Sequence, residues 1–331
     1  MNSNQPEATI GTDIPSPPIS VIVCTRDRPR LLCHCLQALS RLIYTKYEVV
    51  VVDNASQDGS TAEVVSATPF RYVREDRPGL DWARNRGAAE AHYDIIAYID
   101  DDARADPDWL NGVADAFADP RVSAMTGLVL PLELESDAQR LFEVYGGMSK
   151  GAQPRLFQRA CMRPRDVIAA HTIGVGANMA FRRSALEMMG GFDTALDVGT
   201  PACGGGDLDL FHRLVGAGLT LRYEPKALVR HEHRRGLDDL RRQIYSNGRS
   251  FGVYLIKIWR THSVSRREVA GFAVRWVVGW LVARLVRSAI GQLPFPIALT
   301  WAEVWGALHA PWAYVATYRH DRRMRRSLRT T

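Results

Sequence analysis

Short apolar runs and amphipathic stretches alternate through the first two thirds of the chain. Ile19-Ser20-Val21-Ile22-Val23-Cys24 follows prolines and precedes polar residues, which predicts a buried strand. Pro29 stands where a helix can begin, and Leu31, Leu32, Cys35, Leu36 and Leu39 follow at helical spacing. The β-branched run from Tyr47 to Asp53 predicts a second buried strand, and Asp58-Gly59-Ser60 opens a helix that reaches Ser66. The alternation continues with a strand at 70–74, a helix at 80–92, a strand at 94–99, a helix at 107–117 and a strand at 122–126. An irregular stretch spans 130–175, after which 178–182 predicts a strand and 183–189 a helix. Gly204-Gly205-Gly206 leads into a helix from Asp207 to Val215, and 219–230 predicts a pair of strands broken at Glu224-Pro225. Strands alternating with helices imply an α/β domain: a mixed, mostly parallel sheet with flanking helices.

In such sheets ligands bind beyond the carboxyl ends of the strands. Three polar clusters fall there: Thr25-Arg26-Asp27, Asp53-Asn54-Ala55-Ser56 and Asp100-Asp101-Asp102. They are expected to converge on one crevice. Three consecutive carboxylates after a buried strand are costly unless something neutralises them. A hard divalent cation with oxygen ligands, shared with substrate phosphates, is the usual partner. The other reading is a solvated turn that caps the helix beginning near Pro107. The first strand exits into Thr25-Arg26-Asp27-Arg28-Pro29 and not into Gly-x-Gly-x-x-Gly, which argues against a dinucleotide-binding domain. No Walker-type phosphate loop is present either.

The 331 residues are 46% hydrophobic and 24% charged, enough apolar material for one large domain and a smaller one. The net charge of +6 raises nucleic acid, an anionic membrane or a phosphorylated small molecule as partners. The basic residues concentrate late, at Arg230 to Arg242 and Arg319 to Arg329, and no nucleic-acid-binding module accompanies them, so no nucleic-acid partner is expected. Cys33-His34-Cys35 lies in a predicted helix and has no second pair at zinc-site spacing; it reads as reduced cysteines. Residues 1–18 are rich in Pro, Ser and Asn and lack the pattern of a signal peptide, which predicts a disordered leader and a cytoplasmic setting.

Residues 19–235 resemble the family 2 glycosyltransferases, which have the GT-A (Rossmann-like) fold. The matching pieces are Val21 to Pro29, Val51 to Ser60, Gly79 with Ala83-Arg84-Asn85-Arg86-Gly87, and Ile96 to Ala103. Further on come Gly176 to Ala180, Gly190-Gly191-Phe192-Asp193 and Gly205 to Leu214. The resemblance implies an inverting transfer of a sugar from a nucleotide-sugar donor, assisted by Mn2+ or Mg2+. Asp53 would then hydrogen-bond the nucleobase, Thr25 and Arg26 would lie along base and ribose, and Arg84 would reach toward the nucleotide. Asp100 and Asp102 would fill the acidic places of the family's Asp-x-Asp motif, with Asp101 facing ribose or donor sugar. Asp207 is the candidate general base that deprotonates the acceptor hydroxyl, and Asp209 is its alternative. The family usually has Glu-Asp at that point, where this chain has Gly206-Asp207. Similar enzymes carry a histidine metal ligand after the last strand, a place that His231 or His233 would take. Two rival readings stand beside this one: a nucleotidyltransferase of similar sheet, which would want a glycine- and lysine-rich phosphate loop after the first strand, and a non-catalytic sugar-nucleotide-binding protein.

Residues 236–331 predict a helical region with a basic tail. Trp276 to Ala283 is wholly apolar, but no stretch reaches the roughly eighteen uncharged residues of a spanning helix. Arg275 and Arg284 fall on opposite helix faces, and Pro294 and Pro296 would break a straight helix. Two readings compete: a helical hairpin in the membrane interface, or a helical subdomain packed on the catalytic domain or a second chain. The clustered arginines favour the inner face of the cell membrane, where a glycan or lipid-linked acceptor would be met.

Overall fold

The structure is a computed structural model that describes residues 16–327; residues 1–15 of the expected leader lie outside it. Among the described residues nine strands form one sheet: β1 (Ile19–Thr25), β2 (Tyr47–Asn54), β3 (Arg71–Glu75), β4 (Ile95–Asp100), β5 (Ala103–Ala105), β6 (Val122–Pro131), β7 (Arg155–Phe157), β8 (Asn178–Arg182) and β9 (Thr220–His231). Their order is β3-β2-β1-β4-β8-β6-β9-β5, with β7 also on β9. The pairs β1/β2, β1/β4, β2/β3 and β6/β9 are parallel, and β8 runs antiparallel between β4 and β6. Six strands therefore point one way, and β5, β7 and β8 point the other.

The apolar runs are strands because both faces of the sheet are covered. Along β2, Val49 and Val51 pack with Leu32, Leu36 and Leu39 of the helix Pro29–Leu39, while Val50 and Val52 face the opposite core with Ala83 and Phe211. Helices on both faces leave only the strand ends open, and the polar clusters stand at those ends.

Three stretches differ from the sequence expectation, the first being β5 at Ala103–Ala105, which the apolar pattern did not mark. The predicted strand pair at 219–230 is a single strand. Its register against β6 slips between Gly127 and Leu128, so that Pro225-Lys226-Ala227 forms a bulge and pairing resumes at Leu228. A bulge accommodates a proline that a continuous ladder would not. The irregular stretch at 130–175 holds the helix Asp137–Tyr145, set by a capping box in which Ser136 and Gln139 serve each other's backbone.

After β9 the helix Leu237–Thr261 buries Ile244, Tyr254 and Ile258, and the Tyr254 hydroxyl donates to the carbonyl of Ile168 at 2.9 Å. A second helix spans Arg266–Ala289, the chain turns where Pro294 and Pro296 forbid continuation, and a third helix runs Ile297–Ser327 through Pro311. The first and third cross closely: a Cβ on Gly306 would lie 2.0 Å from the Tyr245 carbonyl oxygen. Only glycine permits that approach. Arg284 is buried, donates to Glu303 at 2.8 Å and lies 4.0 Å over Trp280. Arg275, as its helical spacing predicts, is exposed on another face.

The third helix buries Ala302, Ala310, Ala313 and Thr317, yet Ile297, Trp301, Trp305, Leu308, Trp312 and Val315 form a second apolar stripe that is exposed. Trp301, Trp305 and Trp312 expose 50%, 56% and 65% of their surface. The helix Arg266–Ala289 adds exposed Val274, Val278, Val282 and Val286 at intervals of one turn. By length and composition that helix could cross a membrane; its most apolar 18-residue window has a mean hydropathy of 1.6, and 17% of that window is buried.

Candidate active site

The strand ends bring the expected residues to one rim. Asp27 after β1 and Ala55 after β2 both adopt left-handed backbone conformations, φ 55° each. The turns lock together: the Asp27 amide donates to Ser56 Oγ at 3.0 Å, and the Gln57 amide donates to Asp27 Oδ1 at 2.8 Å. Non-glycine residues held at positive φ cost energy and persist where surrounding contacts enforce them.

At the end of β4 the three carboxylates diverge. Asp101 is buried, and its Oδ2 accepts from Thr25 Oγ1 at 2.6 Å while Oδ1 accepts from Arg28 at 3.2 Å. Asp102 is half-buried; Arg28 lies 3.3 Å from its Oδ2 and His231 Nε2 lies 3.0 Å from its Oδ1. Asp100, Asp102 and His231 place ligand atoms within 4.8 Å of one another. β5 positions the histidine, because Ala103 pairs with His231 directly after the acidic run. Burial raises Asp100 to about 6, reinforced by the neighbouring Asp102 charge. Burial and Asp102 likewise raise Asp101 to about 7. Asp102 goes the other way: burial opposes its charge, but His231 and Arg28 hold it at about 2. A crowded carboxylate pair with an imidazole beside it is a donor set that fits a manganese- or magnesium-type cation, since added positive charge relieves the repulsion that raises Asp100.

His233 stands behind this group. Its Nδ1 faces His231 Nδ1 at 3.2 Å and its Nε2 faces Glu143 Oε1 at 2.9 Å. Asp53 lies at the end of β2, fully buried; it accepts from Tyr72 at 2.7 Å, from Arg74 at 3.2 Å and from the Ser56 amide at 3.0 Å. Arg26 stands on the open rim beside Asp27.

Asp207 opens the helix Gly206–Gly216, with Oδ2 accepting from the Gly176 amide at 2.7 Å and Oδ1 from the Leu208 amide at 2.8 Å. Burial raises its pKa, the Asp197 charge adds to the rise, and Arg84 works against it. Arg84 is buried; it donates to Asp197 at 2.6 Å and to Asp81 at 3.0 Å. Its charge also acts on Asp100 and Asp207, which puts both in one electrostatic neighbourhood. Asp209 is separated from that neighbourhood. It is buried in ion pairs with Arg213 at 2.7 Å and Lys257 at 2.6 Å.

The missing glutamate at Gly206 has a spatial explanation. A Cβ there would lie 2.0 Å from Asp81 Oδ2 and 2.8 Å from Asp197 Oδ2. Two carboxylates from elsewhere in the chain occupy the space that a side chain at 206 would need. Sequence reasoning missed Asp81, Asp197, Arg28 and Glu143. Arg28 had a local signal in the polar run that follows the first strand, and Glu143 in the Ser136…Gln139 capping box ahead of Phe142 and Tyr145.

The mixed sheet with its acidic strand end is the architecture of the GT-A fold. The profile described as "Glycosyl transferase family 2" matches residues 20–190, just over half of the chain, and the chain belongs to that family. It is 27% identical over 246 residues to the pre-mycofactocin glycosyltransferase of Mycobacterium tuberculosis, a match covering 68% of this chain and 49%, about half, of that protein. It is 26% identical over 273 residues to glycosyltransferase AglE of Haloferax volcanii, covering 80% and 82%. Among solved structures, the mannosyltransferase PcManGT of Pyrobaculum calidifontis, in complex with GDP-Man and Mn2+, aligns with a TM-score of 0.61 at 19% identity, covering 89% of this chain and 87% of that one. TarS of S. aureus in complex with UDP-GlcNAc aligns with a TM-score of 0.53 at 14% identity, covering 79% and 73%. At these identities the two structures show a shared fold.

Proposed function

We propose that the protein is an inverting glycosyltransferase that moves a sugar from a nucleotide-sugar donor to a hydroxyl of a glycan or lipid-linked acceptor. The observation that carries this reading is the group Asp100, Asp102 and His231 at the strand ends. A divalent cation, Mn2+ or Mg2+, held by these three side chains would offset the charge that builds on the departing nucleoside diphosphate. PcManGT, of similar fold, was solved with GDP-Man and Mn2+, and TarS with UDP-GlcNAc, which supports a nucleotide sugar as the donor class.

The chain's own side chains divide the remaining work. Asp207 acts as general base: it takes the proton of the acceptor hydroxyl as that oxygen attacks the anomeric carbon opposite the diphosphate. Its raised pKa favours this role, because a base closer to working pH accepts a proton more readily. The Gly176 amide fixes the carboxylate's orientation, and Arg84 keeps the surrounding carboxylates from forcing it neutral. Arg28 binds Asp101 and Asp102 and so stiffens the donor side. Arg26, on the open rim in a 3.6 Å ion pair with Asp27, meets base and ribose at the β1 exit. Asp53 hydrogen-bonds the nucleobase in this reading and is oriented at this edge by Tyr72, Arg74 and the Ser56 amide.

The acceptor side belongs at a membrane. The exposed stripe of Trp301, Trp305 and Trp312 and the clustered Arg319, Arg322, Arg323 and Arg326 suit peripheral attachment to the inner face of the cell membrane, with indoles among headgroups and arginines against anionic lipid. The burial of Arg284 against Glu303 ties the helix Arg266–Ala289 to the protein, which favours lying on the bilayer over spanning it.

The test is a panel of nucleotide sugars incubated with the full chain and Mn2+ or Mg2+, reading released nucleoside diphosphate and the anomeric configuration of any transfer product. Metal-dependent release from one donor with inversion is expected. Nucleotide release that ignores a chelator, or a retained configuration, refutes the reading.

A further inference from the structure

We infer that Glu143 and His233 form a positioning relay that fixes His231 as a ligand through Nε2, and that His233 is not itself a ligand. The inference rests on the metal reading above. Four side chains lie in a line: Asp102 Oδ1 to His231 Nε2 at 3.0 Å, His231 Nδ1 to His233 Nδ1 at 3.2 Å, and His233 Nε2 to Glu143 Oε1 at 2.9 Å.

The polarity of this line follows from what each group can do. An ionised carboxylate only accepts, so Glu143 requires the proton of His233 on Nε2. The Nδ1 atom of His233 is then a lone pair. It accepts from His231, whose proton must sit on Nδ1 for two facing nitrogens to share one hydrogen. His231 therefore turns Nε2 toward Asp102 and Asp100, and binding exchanges any Nε2 proton for the cation. Partners that hold the second nitrogen of a ligating histidine commonly govern metal affinity.

The surroundings hold the relay in place. The His233 side chain is 2% exposed and meets the Phe142 ring edge-on at 4.8 Å. Its carbonyl accepts from Gln139 Nε2 at 3.4 Å. Glu143 rides on the helix Asp137–Tyr145, and Gly147 leaves room for its carboxylate: a Cβ there would lie 2.7 Å from both oxygens. The same helix is anchored to the carboxyl-terminal helices by Tyr145, which donates to Glu303 at 3.0 Å. Both ring nitrogens of His233 are thus engaged away from the carboxylates that would hold a cation.

The test is Mn2+ binding to the full-length protein without donor, read by electron paramagnetic resonance, with thermal unfolding measured in parallel. His231→Ala should abolish the bound signal. His233→Phe keeps an aromatic ring but no acceptor and should weaken Mn2+ by about ten- to a hundredfold. His233→Asn, whose side-chain carbonyl can stand where Nδ1 stood, should recover most of the loss. Glu143→Gln can donate to His233 Nε2 and reverse the tautomer, so it should weaken Mn2+ more than its small change in size implies. In Mg2+-loaded protein, 15N-labelled histidine spectra should report His233 as the Nε2–H tautomer. If His231→Ala abolishes binding but His233→Phe binds Mn2+ as the parent does, the relay is wrong while the metal reading survives. If His233→Asn loses Mn2+ as completely as His231→Ala, His233 is a ligand and the relay is overturned. If His231→Ala leaves affinity unchanged, the metal reading fails and takes the relay with it.

Discussion

Asp101 and Arg284 are each buried and each bound to an opposite charge, yet their neighbourhoods are built differently. Around Asp101 the charges do not balance: Asp100 and Asp102 crowd beside it, and Asp100 and Asp101 both stay raised although Arg28, His231, Arg84 and Arg234 act on the group. Around Arg284 they do balance, with Glu303 opposite and Trp280, Tyr145 and Phe295 closing over the pair. Charges that exceed their internal partners need a counter-charge from outside; charges that match are structural. The apolar surface shows the reverse. It is sealed around the strand ends and left open on the carboxyl-terminal helices, where Trp301, Trp305 and Trp312 face outward. One region is built to take a cation and the other to take a cover.

Each side of that contrast can be broken separately. The largest effect should come from Asp207→Asn. Transfer should fall by about a thousandfold, since a general base contributes on that scale, while affinity for nucleotide with Mn2+ stays at the parent value. Near-normal turnover, measured with the panel's active donor, would remove Asp207 as the base. Asp209 would be a poor replacement, because Arg213 and Lys257 already occupy it.

The open apolar face comes next. Replacing Trp301, Trp305 and Trp312 together with Ser should lower partition onto anionic vesicles by about a hundredfold, because half-exposed indoles lose their interfacial contact. Donor turnover in solution should persist. Sedimentation with vesicles measures the first and released diphosphate the second. Unchanged sedimentation would assign the stripe to some other cover.

The pH profile reports on the electrostatics of the base. A base works only when deprotonated, so turnover should rise with pH through the Asp207 pKa and then level. Burial and the Asp197 charge raise that pKa, so the acid limb should lie above the ordinary carboxylate range. Asp197→Asn removes the second cause and should move the limb to lower pH. An acid limb at the usual carboxylate position in the parent would contradict this.

The smallest effect concerns packing. Gly206→Ala would press a Cβ against Asp81, and overpacking of this kind costs about 2 kcal/mol of stability. Combining it with Asp81→Ala should recover part of that loss. Thermal unfolding of the single and double variants measures the coupling.

The strands around the site could be read from the chain because buried parallel strands announce themselves as apolar runs ending in polar clusters. β1, β2 and β4 deliver Thr25, Asp53 and Asp100 as their sequence positions predict. What could not be read depends on contacts through space. Asp81 and Asp197 meet only through Arg84, and nothing local marks either as a neighbour of Asp207. The choice between His231 and His233 turns on which way two adjacent rings face. The carboxyl-terminal helices hid their geometry for another reason. The helix Ile297–Ser327 is apolar on the face that packs and on the face that does not, so its pattern lacks the one-sided stripe that marks a surface helix.

The central proposal is that Asp102 would help hold a divalent cation whose charge would favour binding of the donor's diphosphate. Calorimetric titration of nucleoside diphosphate into the parent and into Asp102→Ala, each with and without Mn2+, addresses it directly. The parent should bind only with Mn2+ present, and Asp102→Ala should show no metal-dependent heat. Identical titrations for the two proteins would contradict it.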